Sequence, residues 1–287
     1  MNRYLKAGIA AGSAAFAARA VYENTAMLQV ASYRLPFRNL PRIVQLSDLH
    51  RRRFGRHQER LIRLTKEQNP EIIVITGDLV SRCAADFTET GLLIQNLCAI
   101  APVLTVCGNH EADLPSGLFA KYRRTLKQSG AVMLDNRILR IGGIYFAGAA
   151  FSRDYYRGGG LFGFTGKKTC TAKVLRKRFG KCPPGTVLLA HNPLWFPAYA
   201  ECGAALTLSG HVHGGAVRLP LAGGILSPER TFFPRYDKGL FKIGSAAMIV
   251  SGGLGKPRLF NPPEICVISA EESSVCSGGL FVQPEPM

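Results

Sequence analysis

Five apolar runs of this 287-residue chain finish in a residue able to hold a metal ion. IVQLSDLH delivers Asp48 and His50, IVITGD delivers Asp78, LTVCGNHE delivers Asn109 and His110, VLLAH delivers His191, and LTLSGHVH delivers His211 and His213. Of the six histidines only His57 stands apart. A single histidine after a strand is ordinarily structural, and Gly-Asp or Gly-Asn there is ordinary turn chemistry. Five such endings together mean more, because α/β sheets gather their functional groups beyond the carboxyl ends of their strands. In extended chain, residues i and i+2 point to one side about 7 Å apart, so Asp48 with His50, and His211 with His213, can each reach one centre. Imidazole, carboxylate and amide oxygen without thiolate suit Mn²⁺, Fe²⁺, Zn²⁺ or Co²⁺ better than a structural zinc cage. The histidines could divide between two ions about 3.5 to 4 Å apart with a carboxylate bridging. Gly77, Gly108 and Gly210 precede these residues and are expected to let the chain turn tightly there.

Strands must carry these groups. RIVQLSD, EIIVITGD, PVLTVCGN, GIYFAGAA, TVLLAHN, AALTLSG, AAMIVSGG and EICVIS are short β-branched or aliphatic runs closed by glycine or a polar residue, the pattern of strands buried on both faces. RHQERLIRLTKEQNP predicts a helix from Arg56 that stops at Pro70, and SGLFAKYRRTLKQSG one capped by Ser116 and ended by Gly130. Alternating strand and helix is the α/β signature. The later half reads as strands with glycine-rich turns and little helical periodicity, which predicts a mixed or two-sheet core. With no internal repeat and no obvious linker, one catalytic-sized domain is expected.

Lys plus Arg number 36 against 19 Asp plus Glu, a net charge of +17 that favours anionic partners. Residues 1–60 alone carry a balance of +8, and KKTCTAKVLRKRFGK from Lys167 to Lys181 holds seven basic residues and no acid. That second segment, near Phe162 and Phe164, reads as a cap over a lipid or head group, or equally as an exposed helix. The eight cysteines include no C-x-x-C pair, which argues against a zinc ribbon or a redox motif, and those inside apolar runs behave as small apolar side chains. Near the start, Arg3 and Lys6 precede an Ala/Gly-rich run from Ala7 to Ala18. A spanning helix needs about 20 apolar residues, so the run is too short to cross a bilayer and reads as a signal-like segment, an interfacial anchor or a plain helix. The expected organisation is a basic, apolar segment over 1–21, a catalytic domain over 22–272 and a flexible tail over 273–287.

The ordered series D-x-H, G-D, G-N-H-E, H and G-H-V-H resembles the calcineurin-like metallophosphoesterase superfamily over about residues 43–215. That resemblance implies a four-layer α/β/β/α sandwich of two mixed β-sheets. It implies Asp48, His50, Asp78 and His213 around one divalent ion and Asp78, Asn109, His191 and His211 around a second, with Asp78 shared and Mn²⁺ the ion expected first. GHVHGG, YDKGLFKIG and VSGGLGKPRLFNPPEICVIS extend the likeness to about residue 270 and are similar to a bacterial membrane-associated branch that includes enzymes of the UDP-2,3-diacylglucosamine hydrolase type, which cleave a pyrophosphate in lipid A synthesis.

The chemistry implied is hydrolysis of a phosphodiester or pyrophosphate bond by an activated water. His110 would sit at the leaving oxygen as proton or hydrogen-bond donor, with Glu111 orienting it. Arg51, from the run Arg51–Arg53, and Arg82 would grip substrate phosphate. The partners implied are an anionic, lipid-linked or nucleotide-sugar phosphoester and a membrane surface, on its cytoplasmic face or, for an exported form, beyond it, with no specific nucleic acid. A protein phosphatase of the same superfamily is disfavoured because GNHEADL lacks the next expected arginine, and a nuclease because aromatics rarely interleave with the basic runs. A binding module without catalysis would be expected to have lost ligands, and none is missing.

Overall fold

In the computed structural model the described residues are 3–157, 167–215, 218–219, 223–224, 233–255 and 260–271. The proposed tail over 273–287, and Phe162 and Phe164 of the suggested cap, lie outside them. Fourteen strands occur among the described residues: β1 Gln29–Leu35, β2 Ile43–Leu46, β3 Ile72–Ile75, β4 Val103–Thr105, β5 Val132–Met133, β6 Ile138–Ile141, β7 Ile144–Ala149, β8 Val187–Ala190, β9 Leu206–Ser209, β10 Arg218–Leu219, β11 Gly223–Gly224, β12 Gly239–Ile243, β13 Ala246–Val250 and β14 Glu264–Ala270. The first large sheet runs β1-β14-β2-β3-β4-β5 and the second β12-β13-β9-β8-β7-β6; β10 and β11 form a separate ribbon. Both large sheets are mixed. β2, β3, β4 and β5 run parallel while β14 lies antiparallel to β2, and β7, β8, β9 and β13 run parallel between antiparallel β6 and β12.

The period of two along each strand explains the layering. Val44 and Leu46 of β2 and Ile73 and Ile75 of β3 face an outer core with helices α2 Glu59–Glu67, α3 Thr88–Cys98 and α5 Ser116–Gln128. Their neighbours Ile43, Ile72 and Val74 turn inward and meet Leu104, Phe146, Leu189, Leu208 and Ile249 between the sheets. Leu188, Ala190 and Met248 cover the far face of the second sheet, where α7 Ala172–Phe179 and α8 Phe196–Cys202 pack. The result is the expected α/β/β/α sandwich.

Several local expectations are corrected. The helix expected from Arg56 begins with a 3₁₀ turn, Arg56–Gln58, and His57 and Gln58 adopt left-handed backbone before α2 starts at Glu59. Ser116 opens α5 as its first helical residue, while Pro115 holds the cap position without a side-chain bond. The later half contains more helix than its pattern suggested. The basic segment after Lys167 forms α7, capped by Thr171 and burying Ala172 and Leu175, so its helical reading holds over Ala172–Phe179. Helix α1, Arg3–Thr25, continues past residue 21, and among the described residues no helix is long and apolar enough to cross a membrane. The Arg52 and Arg60 guanidiniums tie its end to the domain by donating to the carbonyls of Glu23 and Ala26.

Candidate metal centre

The loops that leave β2, β3, β4, β8 and β9 meet at one edge of the sandwich. Asp48 and His50 follow β2, Asp78 follows β3, and His191 follows β8. Asn109 and His110 open the single turn α4, Asn109–Ala112, after β4, and His211 and His213 follow β9. The structure brings all eight together in three interlocking groups able to hold a metal ion, namely Asp48, His50 and His213; Asp48, Asp78 and His191; and His50, Asp78 and His110, with Asn109 and His211 against His191.

The backbone reaches this arrangement differently from the extended geometry expected. Asp48, His50, Asp78, His211 and His213 all have φ between 53° and 70°, the left-handed region that costs roughly 1–3 kcal/mol per residue and persists only where surroundings enforce it. The D-x-H and H-x-H pairs therefore converge through turns, and the histidine pair splits: His213 Nδ1 lies 3.7 Å from Asp48 Oδ1, whereas His211 Nδ1 lies 3.2 Å from His191 Nε2. Only Gly77 of the three expected turn glycines has positive φ, 95°. Gly108 and Gly210 are required by close approach, since an added Cβ would lie 2.4 Å from Asp78 Oδ1 at the first and 1.9 Å from Ser47 Oγ at the second.

Contacts between sheets lock the loops. Gln45 of β2 points inward and donates to the Ser209 carbonyl at the end of β9 and to Thr76 Oγ1. His191 Nδ1 donates to the Thr76 carbonyl at 2.7 Å, and the His211 N–H donates to Asp48 Oδ2 at 3.0 Å. Glu111, fully buried, accepts from the N–H groups of Asp78, Val80 and Gly108. It bolts two loops together and does not orient His110 as expected. Around His110 the structure instead places Arg82, whose N–H donates to Nδ1 at 3.2 Å and whose Nη2 lies 2.8 Å from Nε2. Asp113 anchors that guanidinium at 3.4 Å and also pairs with Arg153 and Arg157. Arg51 is exposed beside His50 in a cavity of about 430 Å³.

Does the donor set fit a cation? The Thr76 carbonyl can only accept, so the proton of a neutral His191 sits on Nδ1 and its Nε2 presents a lone pair. That lone pair faces Asn109 Oδ1 at 3.0 Å, Asp78 Oδ2 at 3.4 Å and Asp48 Oδ1 at 4.0 Å. Several electron pairs converge on one point, and one proton cannot satisfy them all, whereas a divalent cation can. Asp48 and Asp78 are both buried, and among the described residues no lysine or arginine pairs with either. Burial and the Asp78 charge push the Asp48 carboxyl up. At Asp78 burial acts the same way, but His191, His110 and His50 outweigh it and hold its carboxyl well below the usual range. Burial would lower His191, yet the two carboxylates raise it to about 10. Burial and the Asp78 charge push Glu111 up to about 7. The site thus demands compensating positive charge, and its residues fit a divalent metal.

The calcineurin-like phosphoesterase family model matches residues 41–215, the stretch that holds every one of these groups. The chain belongs to that family. It is 27% identical over 237 residues to the metallophosphoesterase YkoQ of Bacillus subtilis (strain 168), an alignment covering 80% of this chain and 84% of the relative. It is 28% identical over 241 residues to the phosphodiesterase YaeI of Escherichia coli (strain K12), covering 79% and 81%. A second B. subtilis metallophosphoesterase, YkuE, is 26% identical over 251 residues, covering 81% and 80%. The protein is a hydrolase acting on phosphoester bonds, with an Asp/His site suited to divalent metal.

Sequence reasoning missed the supports. Ser47 donates to Asp48 Oδ2 at 2.7 Å, the Gly255 N–H donates to the Asp48 carbonyl, and Asn261 Nδ2 donates to the carbonyls of His213 and Gly215. Tyr156 packs its ring against His191 and His211. Gln45 alone carried a signal, as an amide inside an otherwise apolar strand.

Proposed function

We propose that this phosphoesterase hydrolyses a phosphodiester or pyrophosphate bond with two divalent cations, Mn²⁺ first among them. The convergence of oxygen and nitrogen lone pairs at His191 Nε2 carries the reading. Asp48, His50, Asp78 and His213 would hold one ion, and Asp78, Asn109, His191 and His211 the other. When bound, the ions supply positive charge that activates a water and neutralises the phosphoryl oxygens. The chain's own groups do the rest. Arg82, tethered by Asp113, swings its guanidinium onto a phosphoryl oxygen, and its withdrawal from His110 Nε2 frees that nitrogen to donate to the leaving oxygen. Arg51 grips a substrate phosphate other than the one under attack, at the His50 edge.

The substrate proposed is anionic and lipid-linked or nucleotide-sugar-like, with a UDP-2,3-diacylglucosamine type of pyrophosphate the first to try. The net charge of +17 and the exposed Tyr4, Leu5, Phe16, Val21 and Tyr22 of α1 support action at an anionic, cytoplasmic-face membrane surface.

Turnover of bis(4-nitrophenyl) phosphate with Mn²⁺ tests the core reading. Asp78→Asn should lose bound metal and roughly a thousandfold in rate, the worth of several kcal/mol of charge stabilisation. His110→Ala should keep its metal and lose about a hundredfold. Full activity in the Asp78 variant would remove the two-ion reading, and loss of metal from the His110 variant would make His110 a ligand.

A further inference from the structure

The cavity that opens beside His50 lies between the loop after His50 and the segment that carries Leu79 to Thr90. Four arginines, Arg51, Arg52, Arg53 and Arg56, line its near wall, and they are arranged with care. Arg52 is half-buried and turns back, stacking its guanidinium 5.1 Å from the Phe54 ring and donating to the Glu23 carbonyl. Arg51, Arg53 and Arg56 stay exposed. The loop that presents them is latched by one side chain: Gln58 accepts from the Phe54 N–H at 2.8 Å and donates to the Arg52 carbonyl at 2.8 Å. Left-handed backbone at Gly55, His57 and Gln58 closes the turn, so the backbone that carries the three exposed arginines is fixed, and Arg56 Nε donates to His57 Nε2 at 3.3 Å.

The cavity also contains two acids against four arginines, and each acid has a hydrogen-bond partner of its own. Glu89 pairs with His57 at 3.1 Å, and Asp86 accepts from the Thr88 hydroxyl and faces Lys121 at 4.0 Å. Among the described residues neither Arg51 nor Arg53 has a carboxylate partner. A pocket with unneutralised guanidiniums on a fixed loop is a receptor for a planar or tetrahedral anion. Its position says which part of the substrate it takes. His50 lines it, and the His50 ring centroid is 4.3 Å from that of His110, the group placed at the leaving oxygen. A leaving group departing towards His110 therefore extends into this cavity.

Resting on the phosphoester-hydrolysing reading above, we infer that the physiological leaving group carries a second anionic group, a phosphate or carboxylate, seated by Arg51, Arg53 and Arg56. The enzyme thereby selects substrates with two anionic centres, one at the metal centre and one in the arginine cavity. A nucleotide phosphate and a phospholipid head group share this chemistry.

The test compares three substrates of the full-length protein with Mn²⁺: bis(4-nitrophenyl) phosphate, a soluble dinucleoside diphosphate, and a long-chain diphosphodiester in detergent. Wild type should favour a diphosphodiester in kcat/KM, and Arg51→Ala/Arg53→Ala should cut that preference at least tenfold, mainly through KM, with Arg51→Lys/Arg53→Lys recovering part of it. Preference for the soluble compound would name a nucleotide source, and preference for the long-chain one a lipid source. A second readout needs no turnover: calorimetric binding of inorganic pyrophosphate to chelator-treated protein should weaken at least tenfold in the double alanine variant, while thermal unfolding shows the variant folded. An unchanged substrate preference together with unchanged pyrophosphate binding would overturn the inference. Wild type that turns over bis(4-nitrophenyl) phosphate but neither diphosphodiester would also overturn it while leaving the core reading intact, and wild type inactive on all three would strike the core reading instead.

Discussion

The two sheets feed one site in contrasting ways. Loops of the first supply both carboxylates and the amide oxygen, and these are tied to one another: the His50 N–H donates to the Asp78 carbonyl, the His110 N–H to Asp78 Oδ1, and Glu111 collects three more N–H groups. Loops of the second sheet supply imidazoles, and each hangs on a contact with another part of the chain. His191 is held by Thr76, His211 by Asp48, and the His213 turn by Asn261. The acidic half is a pre-tied unit, whereas the basic half depends on the sheets meeting. A cation bound between them would therefore couple sheet packing to the site, stabilising the native state by an amount that grows with the logarithm of free cation concentration above its Kd.

That contrast can be broken at the point of meeting. Gly210→Ala would drive a Cβ to within 1.9 Å of Ser47 Oγ and 2.4 Å of Asp48 Oδ2, so the β9 loop must retreat. We expect a loss of about 3 kcal/mol in unfolding free energy and at least a hundredfold in turnover, because a displacement of about 1 Å suffices for that. Unaltered kinetics would show that the sheets need not touch there. Glu111→Gln sharpens the comparison by loosening only the acidic half. One buried oxygen becomes an NH₂ facing N–H donors, which should cost about 2 kcal/mol by chemical denaturation while the imidazole loops stay in register by NMR. Asn261→Ala loosens only the basic half, and, with the freed carbonyls able to recruit water, should cost about 1 kcal/mol. If Asn261 proves the costlier of the two, the ordering of the halves is wrong.

The sequence was readable where chemistry and strand pattern coincide. Asp48, Asp78, His191 and His211 each stand at the end of an apolar run, so both the two-sheet fold and the candidate site residues were visible. Geometry was less so. The left-handed turns at Asp48 and His213 arise from packing between loops far apart in the chain, which no i, i+2 argument captures. Glu111 looked like a partner of its neighbour His110, but its acceptors are filled by N–H groups of residues 78, 80 and 108, brought close only by parallel pairing of β3 and β4. The arginine run after His50 read as one block. Only the turn at Phe54 and Gln58 separates the tucked Arg52 from its exposed neighbours. Helix α8 escaped notice because short helices carry little periodicity, whereas α7 lies in the basic segment that read either as a cap or as a helix.

The central claim is that folding gathers groups from both sheets around two divalent cations. Elemental analysis of the active, full-length protein, alongside the Asp78→Asn variant, tests it most directly. The account predicts about two divalent ions per chain in the first and a marked loss in the second, with chelation abolishing turnover and metal restoring it. A fully active preparation that holds only a trace of metal and ignores chelators would contradict it.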